Sequence, residues 1–101
     1  MKTEKPLQKD QIKQLRALAH VLKPVVRLGQ HGLTPAVTAE LERALEHHEL
    51  VKIKLSADGR DARAEQLDAL CKSTRAVTVQ SIGHTACLFR RNQKKPVITL
   101  I

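Results

Sequence analysis

Tryptophan and tyrosine are absent from this 101-residue sequence, and Phe89 is its one aromatic residue. A surface that reads its ligand by stacking planar groups on aromatic rings is therefore nearly excluded. Phe89 itself sits in an apolar stretch and is expected in the core. Cysteine is scarce too: Cys71 and Cys87 fall in segments that read as helix and strand, so two thiols rather than a disulfide are expected. No apolar run approaches the roughly 20 residues of a membrane helix. The opening MKTEKPLQKDQ lacks the apolar centre of a secretory signal. A cytoplasmic location with no membrane partner is the expectation. Acid is missing from one region altogether, since no Asp or Glu follows Asp68.

What is present is positive charge. Eighteen Lys and Arg stand against ten Asp and Glu, a formal net of +8, which points to a polyanionic partner. The distribution says more than the total. Residues 1–35 hold seven cations and two acids, residues 36–68 five cations and eight acids, and residues 69–101 six cations alone. Charge spread only for solubility would not segregate in this way.

Apolar residues Ile12, Leu15, Leu18, Ala19 and Leu22 recur at steps of three and four, which predicts a helix from Gln8 to Leu22 with one buried face. Lys9, Lys13, Arg16, His20 and Lys23 follow the same period and fall within about 80° of one another on that helix. Pro24 stops it, and Val25 to Leu28 reads as a strand. Two glycines in Gly29-Gln30-His31-Gly32 bracket a turn; Thr34 and Pro35 then supply an N-cap and a first-turn proline for a second helix. Its core-facing residues are expected to be Val37, Leu41, Ala44, Leu45 and His48. Leu50 to Leu55 alternates as a half-exposed strand with Lys52 and Lys54 on one face. After a Ser56–Gly59 turn, Asp61 can cap a third helix with Ala64, Leu67, Leu70 and Cys71 inward. Strands around Val77–Ile82 and Thr85–Arg91 flank a Gly83-His84 hairpin turn. The order αβαβαββ implies a two-layer α/β sandwich, a small mixed sheet of about four strands covered by helices.

The chemistry-bearing feature is the glycine turn entering the second helix. Backbone N–H groups of such a turn and of a helix N-terminus point outward together and attract phosphate. Glycine at both ends admits a sugar-phosphate backbone, the logic of the GXXG clamp in KH domains. An ordinary strand-to-helix turn would look the same; the neighbouring basic stripe favours contact with nucleic acid. Arg90, Arg91, Lys94 and Lys95 either extend that surface or protect a sheet edge, and Lys52 and Lys54 carry the same two readings. His47, His48, His84 and Cys87 lack the companions of a zinc site, and no nucleophile stands beside a histidine in a hydrolytic pattern.

The segments LRALAHVLKPVVRLGQHGLTPAV (15–37), ALEHHELVKIKL (44–55) and VTVQSIGHTACLFRR (77–91) closely resemble the CRM domain (chloroplast RNA splicing and ribosome maturation), in its stand-alone bacterial YhbY-like form. The resemblance runs from about residue 7 to residue 100 and makes residues 1–101 one domain. It implies a fold similar to the C-terminal domain of the third translation initiation factor. It also implies a non-catalytic, cofactor-free monomer that binds ribosomal RNA in precursors of the large ribosomal subunit and takes no small-molecule substrate. By position the RNA-binding residues are Gly29, Gln30, His31 and Gly32, flanked by Lys9, Lys13, Arg16, His20, Lys23, Arg27, Arg90 and Arg91. Gln30 stands where relatives commonly have lysine, and Cys87 and Phe89 where Val and Tyr are typical. A general double-stranded nucleic-acid binder and an RNA chaperone of the intron-splicing type are the alternatives.

Overall fold

Pro24 decides where the first helix ends. A proline disfavours helical backbone in the residue before it, and the chain tightens ahead of it: His20, Val21 and Leu22 donate to Ala17, Leu18 and Ala19 in three-residue rather than four-residue steps. The helix α1 therefore spans Lys9–Ala19 and not the expected Gln8 to Leu22. His20 and Lys23, the last two members of the basic stripe, lie beyond it on the turn and link that lead to the first strand.

The computed structural model describes residues 6–101. After α1 come β1 (Val26–Arg27), α2 (Pro35–His48), β2 (Leu50–Lys54), α3 (Arg60–Thr74), β3 (Val77–Ile82) and β4 (Thr85–Phe89). The expected order αβαβαββ and the mixed four-stranded sheet are both present. Strands lie in the order β1-β2-β4-β3, β1 and β2 parallel and the other two pairings antiparallel.

Alternation along β2 and β4 splits the core in two. Val51, Ile53, Ala86 and Leu88 face Leu41 and Leu45 of α2 and Leu67 and Leu70 of α3, which form one helical layer on that face of the sheet. Leu50, Cys87 and Phe89 face the other way, onto Leu15 and Ala19 of α1, with Ile98 and Leu100 of the C-terminal segment beside them. Cys71 packs against the first cluster and Cys87 sits in the second, so the sheet separates the two free thiols. Burial raises both thiol pKa values and keeps them protonated at neutral pH.

Three inward assignments and one cap change, the first being Leu18, which is exposed on α1. His48 is exposed in the last turn of α2, and Ala64 is exposed on α3. Asp61 caps nothing: Gly59, at φ 90°, takes the N-cap position and leaves Asp61 in the first turn, where its charge still suits the helix dipole.

Glu49 between α2 and β2 is the least expected core residue. It is fully buried and has a left-handed φ of 62°, a costly conformation outside glycine. Its carboxylate accepts from the backbone N–H groups of Asn92 (2.6 Å), Val97 (2.8 Å) and Ile98 (2.8 Å), and from the Arg91 guanidinium (3.1 Å). Burial alone would raise its pKa; the hydrogen bonds from Ile98, Asn92 and Val97, together with Arg91, outweigh that and hold it below the ordinary glutamate value. The C-terminal segment is thereby tied across the second face of the sheet. Gln11 and Gln14 of α1 hold it from the other side, donating to the carbonyls of Ile101 and Thr99.

Candidate nucleic-acid interface

Residues 29–32 form a closed β-turn: the Gly32 N–H donates to the Gly29 carbonyl at 2.9 Å, with Gln30 and His31 exposed at the corner. Among the described residues, the backbone N–H groups of Gln30, His31 and Leu33 meet no protein acceptor. The turn feeds straight into α2, where the Thr34 hydroxyl accepts from the Val37 N–H at 3.2 Å and Pro35 occupies the first helical turn. Unpaired donors and a positive helix end are thus collected at one point.

The two glycines differ in why they are glycine. Gly32 has φ 66°, and a Cβ there would stand 3.1 Å from Nε2 of Gln66, so the fold itself calls for glycine. Gly29 has an ordinary backbone, and a Cβ would meet nothing within 4 Å. Nothing inside the protein requires a missing side chain at 29. What a bare backbone does provide there is close approach from outside.

Cations surround the turn from both sides. Arg27 pairs in register with Lys54, and the Leu28 N–H donates to the Lys54 carbonyl at 3.0 Å, so the two exposed side chains stand together on the α1 face at the strand ends. His20 and half-buried Lys52 line a small hollow with Ile82 and Thr85 on the same face. On the α3 side, Gln66 beside Gly32 also accepts from the Ser56 and Ala57 N–H groups, holding the β2–α3 turn against the loop. Arg63 lies 3.5 Å from His84 of the hairpin. Asp58 and Asp61 share this side, which leaves the α1 side the more uniformly positive.

Of the sequence-predicted residues, Gly29, Gln30, His31, Gly32, Arg27 and His20 gather at this end of the sheet. Lys23 is exposed on the link between α1 and β1. Lys9 and Lys13 are exposed further back along α1, whose Lys9–Ala19 span is about 15 Å long. Arg16 is exposed too, and its Nε donates to the Val79 carbonyl at 3.0 Å, pinning α1 to β3. None of these cations pairs with a carboxylate among the described residues.

Arg90 and Arg91 do not belong to the group. Arg90 is ion-paired to Glu42 at 2.9 Å and Glu46 at 3.2 Å and donates to the Thr74 carbonyl, while Arg91 serves Glu49 and the Ile98 carbonyl. They leave β4 at the end opposite the glycine turn, where Phe89 pairs with Leu50 and Val77. Arg63 and His84 are the additions, and Lys54, which the sequence left between two readings, stands beside Arg27. The available signal was topological: strands β1 and β2 run parallel, so the turns that follow both emerge at the same end.

Residues 7–90 match the CRS1/YhbY (CRM) domain. The chain belongs to that family. Similar proteins include a probable RNA-binding protein of Pseudomonas aeruginosa, 49% identical over 88 residues that cover 87% of this chain and 85% of the relative. An RNA-binding protein of Haemophilus influenzae is 43% identical over 83 residues, 82% of this chain and 84% of the relative. The solution structure of a Staphylococcus aureus protein described as a candidate RNA binder superimposes with a TM-score of 0.81 at 28% identity, over 95% of this chain and all of that one. Among the described residues no helix is long and apolar enough to cross a membrane.

Proposed function

We propose that this CRM-domain protein binds RNA through the Gly29–Gly32 turn and the cations beside it, and that it does so without catalysis. The observation that carries the reading is Gly29, a bare backbone with no internal reason to be bare, set among unpaired N–H groups and next to Arg27 and Lys54. Phosphate oxygens at the turn would accept from the N–H groups of Gln30, His31 and Leu33. The neighbouring cations would neutralise the flanking phosphates and release counterions. Gln30 brings no charge, so the charge comes from Arg27, Lys54, Lys23 and the exposed side of α1. With no aromatic platform, recognition rests on backbone and shape rather than on stacked bases.

The RNA we infer is ribosomal, within precursors of the large subunit, and the protein's part is to assist assembly as a monomer in the cytoplasm. Support for this finer reading comes from the resemblance to bacterial stand-alone CRM proteins, while the RNA-binding names of the relatives support the coarser reading of RNA as the partner. Filter binding to precursor large-subunit RNA, to small-subunit RNA and to a matched DNA duplex tests both levels. A preference for the first with a steep fall of affinity with salt is expected. Equal binding to all three removes the ribosomal assignment, and a flat salt response removes phosphate recognition.

A further inference from the structure

On the second face of the sheet, where the chain leaves α1 and turns toward β1, lies an open groove of about 430 Å³. Aliphatic side chains that line it face solvent: Val21 is 82% exposed, Val25 54% and Leu18 40%. The early end of α1 creates this exposure, because Val21 sits on the turn ahead of Pro24 instead of on a packed helix face. Lys23, Lys52 and His48 also line the groove, and among the described residues no carboxylate does. A contiguous bare aliphatic surface with charge of one sign around it marks a contact site, unlike the single exposed leucines and valines normal on any protein.

We propose that this groove docks a protein segment that inserts apolar side chains between Val21 and Val25 and carries Asp or Glu beside them. Charge complementarity chooses the flanks, since Lys23 and Lys52 pair with no acid among the described residues. A nucleobase is the poorer occupant. The aliphatic walls give its polar edge almost no partners, and burying that edge unpaired costs more than the apolar contact returns. A second copy of the chain is poorer still, because two bodies of net charge +8 repel. Lys23 stands between this groove and the glycine turn, so a docked segment and RNA would compete for that one side chain, while the aliphatic walls and Lys52 belong to the groove.

The test is a random dodecapeptide library displayed on phage, selected on the full-length protein and counter-selected on Val21→Ser. Val21 is a surface residue, so the variant should keep its thermal unfolding. Enriched peptides should combine leucine or phenylalanine with Asp or Glu. One of them should move the methyl NMR signals of Leu18, Val21 and Val25 and bind Val21→Ser about tenfold more weakly. Enrichment indifferent to the substitution, flanks rich in lysine, or methyl shifts reproduced by an RNA oligonucleotide or by concentrating the protein alone would each overturn the proposal.

Discussion

Arg90 and Arg91 look much like Arg27 and Lys54 in the sequence, each a pair of cations at a strand end, yet their surroundings could hardly differ more. The first pair meets Glu42, Glu46 and Glu49 and several backbone carbonyls, and is half-buried. The second pair has no carboxylate among the described residues and stands beside a glycine turn. A run of positive charge becomes a binding surface only where the fold has left it unanswered. Nearly the same side chains serve the protein's interior at one end of the sheet and are free for an external anion at the other.

Removing the carboxylate at the internal end should give the largest effect. Glu49→Ala leaves Arg91 and three backbone N–H groups without their acceptor and is expected to cost about 3–5 kcal/mol in chemical denaturation. A loss below about 1 kcal/mol would erase the contrast. Arg90→Ala comes next, with an expected loss of about 2–3 kcal/mol and no change in RNA affinity of the folded fraction. At the other end, Arg27→Ala combined with Lys54→Ala should leave stability within about 0.5 kcal/mol per site while weakening RNA binding. The slope of log affinity against log salt should become shallower by about 0.7 to 0.9 for each phosphate that is no longer neutralised; an unchanged slope would return both residues to the class of solvated charge. Gly29→Asp should weaken RNA binding at constant stability. Gly32→Ala should lower stability by roughly 1 kcal/mol through its left-handed backbone, and comparing the two separates ligand approach from folding.

The gentlest probe is acid. Glu49 has a folded pKa below its unfolded one, so the stability it contributes is complete above the ordinary glutamate pKa and is lost as pH falls through the depressed folded value. Thermal unfolding followed from neutral pH into that range should show the loss. In Glu49→Gln the pH dependence should be shallower, and an identical profile would assign the acid sensitivity to other carboxylates.

Periodicity and turn chemistry made the seven elements legible, because Leu15, Leu41, Ile53, Leu70 and Leu88 repeat at the intervals their elements impose. The glycine turn and the Thr34-Pro35 helix start were legible for the same local reason. Glu49 was not: it lies in an acidic stretch that reads as solvated surface, and its donors come from residues 42 to 49 positions away. The use of Arg90 was hidden likewise, since Glu42 and Glu46 precede it by 48 and 44 positions. A clue lay in the charge partition, with an acid-rich middle and an acid-free last third that neutralise each other only after folding. The place of Lys54 in the candidate site needed the parallel β1–β2 register, which no local pattern encodes.

Glu49 takes hold of residues 92, 97 and 98 through their main-chain N–H groups and not through their side chains. Val97, which is exposed, is held by this main-chain bond, whereas the Asn92 side chain also accepts from the Lys94 and Lys95 N–H groups and donates to Glu46, and Ile98 packs against the second core cluster. Proline is the residue type barred from those three places, although Pro96 is accommodated next to them because the carboxylate asks nothing of that position. Losing the N–H groups of residues 97 and 98 would leave the buried Glu49 carboxylate with Asn92 and Arg91 as its remaining donors.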